Sequence, residues 1–182
     1  RSSSHFNEIN QFAPTSTDIY LRYIWEYGYK VVDNSARIIK AGEGMKESVS
    51  EDEVADLDMY LAEAYALRAY ANLVLVNVFA HQIMVNGKDF SSQPGIVVVN
   101  DPVPAGSQVS RSTVGDAYTS IVSDLKSSLD YFELAGQTKE NRVYMSPAAV
   151  WGLLSRVYLY MEKFDDSIDA ASKALSVSGV QG

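Results

Sequence analysis

The chain has 182 residues, of which 47% are apolar and 21% are charged, so it is long enough for one domain with a buried core. Its net charge of −8 argues against binding nucleic acid, because a phosphate backbone is bound by clustered lysine and arginine. It contains no cysteine, which excludes disulfide bonds and thiolate metal sites.

The first predicted elements are a lead-in and an amphipathic helix. Residues 1–16 are mostly polar and include Pro14, which is typical of a flexible lead-in. Asp18 is placed to cap the helix that follows, in which apolar residues recur every three or four positions as far as Ile39. Gly42 and Gly44 are predicted to end this helix, because glycine is the usual residue at a helix C-terminus.

A second, longer helix is predicted from residue 51 to about residue 80. Ser50 and Glu53 have the spacing of a capping box at its start. Beyond Leu61 nearly every face of the helix is apolar or small, which indicates a central, buried helix. Glu63 and Arg68 are among its few charged residues, and we expect them at the edge of the packing rather than as a catalytic pair.

Residues 81–111 form a long loop in this prediction. The loop is rich in turn signals, beginning with Asn86-Gly87, and it contains a short β-branched run at 96–99 that is either a strand or an extended buried segment. A connection of about thirty residues is unusual in a helical domain, and such connections are commonly functional or disordered. The long loop is therefore the best candidate for a binding site.

Two further helices have clear start signals. Ser112 or Thr113 is predicted to cap the third helix, which Gly136 ends. Ser146-Pro147 begins the fourth, because proline favours the first helical position.

The fourth helix carries the W-x2-L-G-x2-Y spacing of a tetratricopeptide repeat, with serine in the glycine place. The matching residues are Trp151, Leu154, Ser155 and Tyr158. Lys163-Phe164-Asp165 is predicted to be a tight turn into a fifth and last helix, which a small residue at 155 allows to approach closely. The inner face of this last helix is predicted to consist of Ile168, Ala171, Ala174 and Leu175.

These elements predict an all-α fold of tetratricopeptide-like helical hairpins with one long irregular loop that contains a short extended segment. Since the only histidines are His5 and His81 and there is no cysteine, the familiar nucleophilic and zinc-binding arrangements cannot be assembled. We therefore predict no catalytic residue, no metal site and no cofactor. A carboxylate-pair glycosidase stays open on residue counts, but a helical-barrel enzyme needs more helical hairpins than this chain supplies.

Three blocks of sequence, in order, resemble the SusD/RagB family. The first resembles its E-A-x-x-L-R-A helix through Glu63, Ala64, Leu67, Arg68, Ala69 and Leu73. The second resembles its R-x-S/T-V-x-x-x-Y-x-x-I-x-x-D-L segment through Arg111, Thr113, Val114, Tyr118, Ile121, Asp124 and Leu125. The third resembles its R-x-x-x-x-x-A-A-x-x-L-L-A-R-V-Y-L-Y segment through Arg142, Ala148, Ala149, Leu153, Leu154, Arg156, Val157, Tyr158, Leu159 and Tyr160.

The resemblance implies a surface-associated, lipid-anchored outer-membrane protein of a Bacteroidetes-type bacterium. Such proteins are not enzymes; they capture glycans, or sometimes peptides, and pass them to a SusC-like TonB-dependent transporter. The anchoring cysteine of the family is missing here, and family members are far longer. Residues 1–182 are therefore expected to be a single SusD-like helical domain, the N-terminal part of a longer protein that contacts the membrane only through an anchor absent from this chain.

Within this interpretation, His81, Asn86 and Phe90 are the predicted ligand contacts in the long loop, by stacking and hydrogen bonding. Alternatives stay open for two of these residues and for the function. His81 could instead bond the last carbonyls of the preceding helix, and Phe90 could pack back onto the core. The tetratricopeptide repeat alone would also suit an adaptor that binds a protein segment in a helical groove.

Overall fold

The computed structural model describes Thr15 and residues 18–139, 141 and 143–178. These residues form five helices and one two-stranded hairpin, so the predicted all-α class is confirmed. In chain order the elements are α1 (Ile19–Met45), α2 (Glu51–Phe79), β1 (Met84–Val85), β2 (Lys88–Asp89), α3 (Val114–Ala135), α4 (Pro147–Tyr160) and α5 (Phe164–Ser178). Apart from Thr15, the predicted lead-in at 1–16 lies outside the described residues.

The helices pack in sequence order, α1 against α2, α2 against α3, α3 against α4 and α4 against α5. This one-dimensional stacking is the arrangement of a helical repeat. The predicted central position of α2 is confirmed, since α2 lies between α1 and α3. No helix in the described part of the chain is both long enough and apolar enough to cross a membrane.

Local side-chain caps set the starts of the helices. Asp18 accepts the N–H groups of Tyr20 and Leu21, each at 2.9 Å, at the start of α1. At the start of α2 the Ser50 N–H donates to the Glu53 carboxylate at 3.2 Å, so the predicted capping box is confirmed.

The next two helices also begin where their signals predict, and α3 ends where predicted. Thr113, rather than Ser112, caps α3, and its hydroxyl accepts the Asp116 N–H at 3.0 Å. Gly136 ends α3 in the left-handed conformation, with φ of 61°. Ser146 caps α4 by accepting the Ala149 N–H at 3.3 Å.

The predicted end of α1 is wrong. The helix continues through Gly42 and Gly44 to Met45, and neither glycine has a positive φ. A Cβ atom at Gly42 would lie 2.8 Å from the Cδ2 atom of Leu61 on α2. Gly42 therefore serves close packing of the two helices instead of stopping the first one.

The repeat motif on α4 holds its partner helix through small residues. Leu154 is fully buried, as the motif requires. The Ser155 hydroxyl donates to the Ser167 carbonyl at 2.9 Å, and the Ser167 hydroxyl donates back to the Ser155 carbonyl at 2.8 Å. The prediction that a small residue at 155 allows a close approach is confirmed.

The predicted inner face of α5 is wrong for Ile168 and Leu175, whereas the predicted Ala171 and Ala174 are half-buried. Ser167 and Ala170 are the buried residues of this helix. Ile168 and Leu175 are instead 66% and 57% exposed. Since the paired hydroxyls at Ser155 and Ser167 set how α5 lies on α4, residues one position further along turn about 100° away from the contact.

Candidate functional site

A β-hairpin in the long loop is the centre of the candidate site. β1 pairs antiparallel with β2, with Val85 opposite Lys88. Asn86 and Gly87 form the two-residue turn, with φ angles of 51° and 76°. Positive φ at both positions is the mark of a type I′ turn, whose twist matches that of the paired strands and which favours Asn-Gly. The turn signal in the sequence therefore produces a hairpin.

Two aromatic rings lie at the base of this hairpin. The rings of His81 and Phe90 stack, with centroids 5.4 Å apart and planes 9° from parallel. Phe90 is half-buried and its N–H donates to the Ile83 carbonyl at 2.8 Å, whereas His81 is exposed. The Lys88 ammonium lies 5.0 Å from the centroid of the Phe90 ring. The exposed His81 ring, backed by Phe90, is thus a flat surface at the protein boundary, of the kind that accepts the apolar C–H face of a sugar ring.

A small polar pocket of about 240 Å³ includes Gln82, the residue that follows His81 in sequence. It is lined by Asn77 at the end of α2, Gln82 in the loop and Tyr160 at the end of α4. Each of the two amides carries both donors and an acceptor, so the pocket can bond neighbouring hydroxyl groups of a ligand.

Tyr118 of α3 supports this pocket from below. Its side chain is fully buried, and its hydroxyl donates to the Asn77 carboxamide oxygen at 3.2 Å. Burial, together with a smaller effect of neighbouring Tyr160, raises the pKa of Tyr118 to about 12. The hydroxyl therefore stays protonated and keeps donating to Asn77 across the physiological pH range.

The segment after the hairpin is tied to the helices by two polar contacts. The Tyr29 hydroxyl on α1 accepts the Val97 N–H at 2.8 Å, and burial raises the pKa of Tyr29. On α2, the Arg68 guanidinium donates through Nη1 to the Asn100 carbonyl at 2.7 Å. These contacts fix the backbone of the loop on the scaffold.

Arg68 itself is held by Asp124 of α3. Its Nε and Nη2 atoms lie 2.8 Å and 2.7 Å from the two carboxylate oxygens, and both residues are 4% exposed. Burial raises the pKa of Asp124, while the guanidinium acts against that shift. The expectation that Arg68 lies at the edge of the packing is wrong, because its charge is compensated inside the core. Glu63 pairs instead with Lys139, at 2.5 Å.

The tip of the hairpin is held by the turn between α4 and α5. The Gly87 N–H donates to the Glu162 carboxylate at 2.8 Å, across 75 positions of sequence. The hairpin is therefore fixed at its base by its own backbone and at its tip by a side chain from the repeat.

The structure brings together two of the three predicted ligand contacts. His81 and Phe90 form the ring stack, while Asn86 lies at the opposite end of the hairpin, in the turn. Sequence reasoning missed Lys88, although the Asn-Gly signal and a two-residue hairpin register would have placed it in the pairing. It also missed Asn77, Gln82 and Tyr160, which meet only through helix packing and carry no local signal. In the part of the chain that the structure describes, no three His, Asp or Glu side chains are grouped to hold a metal ion.

Residues 1–159 match the model of a SusD-like family described as "Starch-binding associating with outer membrane". The match covers most of the chain and all of the candidate hairpin. The chain belongs to the SusD-like family. The predicted SusD/RagB resemblance is thereby confirmed, and its first two sequence blocks lie wholly inside the matched residues.

Solved SusD-like structures share the fold. A putative sugar binding protein from Bacteroides vulgatus ATCC 8482 is 26% identical, with a TM-score of 0.84 over 96% of this chain and 37% of its own. A SusD superfamily protein from Bacteroides thetaiotaomicron VPI-5482 is 25% identical, with a TM-score of 0.72 over 83% of this chain and 31% of its own. A SusD-like carbohydrate binding protein from Bacteroides vulgatus ATCC 8482 is 16% identical, with a TM-score of 0.80 over 100% of this chain and 37% of its own, and shows the fold alone.

The chain thus spans about a third of the length of these solved SusD-like proteins, 31% to 37% of each. A search of curated protein sequences finds no significant match.

Proposed function

We propose that this SusD-like chain takes part in the non-catalytic capture of glycans at the outer-membrane surface and in their delivery to a TonB-dependent transporter. The observation that carries the proposal is the exposed His81 ring stacked on half-buried Phe90 at the base of the hairpin, with the adjacent residue Gln82 lining a pocket that holds a second amide. A sugar unit can stack its apolar C–H face on the aromatic ring and hydrogen-bond its hydroxyls to the amides, so its apolar and polar surfaces both find partners.

The relatives support the sugar part of the proposal. The matched family is described as starch-binding and associated with the outer membrane. The putative sugar binding protein from Bacteroides vulgatus is 26% identical over almost the whole of this chain. The absence of catalysis, the transporter partner and the lipid anchor rest on the family resemblance.

The test of glycan capture is isothermal titration of the full-length protein against a panel of polysaccharides, followed by the Phe90→Ala variant. We expect Phe90→Ala to weaken binding by about tenfold, because it removes the ring that supports His81. Phe164→Ala is the matched control, since Phe164 is 57% exposed at the start of α5, outside the site. Its affinity should equal that of the parent.

Two outcomes would count against the proposal. If the parent binds no polysaccharide of the panel, glycan capture is rejected. If the parent binds but Phe90→Ala does so equally well, the site lies elsewhere and the ring stack is not part of it.

We further propose that the chain is the N-terminal part of a lipid-anchored protein, in keeping with the length of its solved relatives. The upstream coding sequence and the intact mass of the natural protein test this. A signal peptide ending at a lipid-modified cysteine is the expected result, and a short cytoplasmic protein would reject it.

A second candidate function, a protein-binding adaptor, is favoured by an apolar groove of about 400 Å³ between α1 and α2. Ile38, Met45 and Tyr60 line it and are each about half exposed. An amphipathic helix with apolar residues on one face would fit such a groove. The test is a pull-down from the native organism with the parent and the Ile38→Glu variant, in which a partner lost only by the variant supports the adaptor and an unchanged set of partners rejects it.

A further inference from the structure

We infer that Glu162 is a positioning residue for the binding hairpin. Its carboxylate fixes the turn at Gly87, and the fixed turn sets how the ring stack of His81 and Phe90 is presented. The consequence for ligand affinity rests on the proposed function, whereas the consequence for the hairpin itself does not.

The first observation is the backbone conformation of Glu162. Its φ is 55°, and among the described non-glycine residues it shares a positive φ only with Asn86. Asparagine tolerates the left-handed region because its short polar side chain bonds locally, and glycine enters it without steric cost. A glutamate there costs stability, which points to a use of its side chain elsewhere in the structure.

The second observation is that the turn itself does not need this side chain. The turn between α4 and α5 is closed by the Glu162 N–H donating to Leu159 at 3.1 Å and the Lys163 N–H donating to Tyr158 at 2.9 Å. Both bonds use backbone atoms only, so any residue except proline at 162 would allow them. The contact that depends on a long acceptor side chain is the one to Gly87, at 2.8 Å.

The third observation is the hairpin's own weakness. Each strand has two residues, and an isolated hairpin is marginally stable at best in water. A bond from a backbone N–H to a carboxylate is charge-assisted and stronger than one between neutral groups. Tyr160, two residues before Glu162, lines the amide pocket with Gln82. Glu162 thus holds the hairpin against the element that forms one wall of that pocket.

The test compares Glu162→Gly and Glu162→Gln in the full-length protein by hydrogen–deuterium exchange of the peptide spanning residues 84–90 and by thermal unfolding. Glu162→Gly removes the carboxylate that accepts the Gly87 N–H, and it also removes the free-energy cost of a non-glycine residue with positive φ. We expect exchange of this peptide to rise about fivefold while the melting temperature stays equal or rises by about 2–4 °C. Glu162→Gln keeps an acceptor oxygen at the same reach but loses the charge, so its exchange should lie between those of the parent and Glu162→Gly. Affinity for any glycan that the parent binds should fall about fivefold in Glu162→Gly and by less in Glu162→Gln.

Two results would overturn the inference. One is unchanged exchange of residues 84–90 in Glu162→Gly. The other is faster exchange throughout the chain with a lower melting temperature, which would make Glu162 a residue of general stability. If the parent binds no glycan, the proposed function fails, but the exchange experiment still decides whether Glu162 positions the hairpin.

Discussion

At the scale of single residues, the buried ion pair of Arg68 and Asp124 is expected to contribute most to stability. The pair joins α2 to α3, and Arg68 also holds the long loop by donating to the Asn100 carbonyl. We expect Asp124→Asn to lower the free energy of unfolding by about 3–5 kcal/mol, because it leaves the guanidinium charge buried without its partner. Urea denaturation followed by circular dichroism measures this change.

The control for that prediction is the surface pair of Asp33 and Arg37 on α1. Asp33→Asn should leave the free energy of unfolding nearly unchanged, since exposed ion pairs contribute little to stability. Equal losses in the two variants would show that the Arg68–Asp124 pair is no more important than a surface contact.

The buried hydroxyl of Tyr118 predicts a loss of stability at high pH. In the unfolded chain a tyrosine loses its proton near pH 10, whereas folded Tyr118 keeps it until about pH 12. Between these values the unfolded state binds fewer protons, so the free energy of unfolding falls as pH rises, by about 2–3 kcal/mol in total for this group. Tyr118→Phe should make that fall shallower in urea denaturation series from pH 9 to pH 12. Equal slopes in the parent and the variant would contradict the assignment.

At the scale of helices, the two glycines near the end of α1 make a matched pair. A Cβ atom at Gly42 would lie 2.8 Å from Cδ2 of the fully buried Leu61, whereas nothing lies within 4 Å of one at Gly44. Gly44→Ala should raise the free energy of unfolding by up to about 1 kcal/mol through helix propensity. Gly42→Ala should lower it by about 1–3 kcal/mol through overpacking. Thermal and urea unfolding of both variants check this, and equal effects would mean that neither glycine serves packing.

Helix starts could be predicted from sequence because they depend on neighbouring residues. The capping box at Ser50 and Glu53 and the serine–proline start at Ser146 are local signals, and both are found in the structure. The end of α1 could not be predicted, because Gly42 is needed for a contact with a residue 19 positions further along the chain. A glycine ends α3 at Gly136, but at Gly42 a glycine allows two helices to pack closely.

The candidate site was predictable in part for the same reason. The composition of the loop and its Asn-Gly turn locate the hairpin, and His81 and Phe90 lie beside it in sequence. The contacts that hold it in place join distant positions, as Glu162 and Gly87 do across 75 residues. No local sequence pattern contains such a pair, so the contact can be identified only once the packing of the helices is known.

At the scale of the whole molecule, α5 presents an exposed apolar face at the end of the described stack of helices. Phe164, Ile168 and Leu175 lie on this face and are each more than half exposed. Exposed apolar faces at the end of a helical stack promote association. We expect the 182-residue chain to self-associate at increasing concentration in sedimentation velocity, and Leu175→Lys to reduce that association. Ser176→Lys adds the same charge at the next position, and an equal effect there would show that charge rather than apolar burial is responsible.

The way the loop is anchored has a practical consequence for protein engineering. Tyr29 bonds the loop at Val97, and Arg68 bonds it at Asn100, both beyond the hairpin. Glu162 holds the hairpin through the Gly87 N–H, a backbone group that any residue except proline supplies. Met84 packs against the core and Asp89 accepts the Ser91 N–H, so these two are kept. The exposed side chains of Val85 and Lys88 are free to vary while these contacts remain, as in binding loops that vary on a rigid framework. A library randomised at these two positions, with Asn86-Gly87 kept for the turn, would be the place to select recognition of a new sugar.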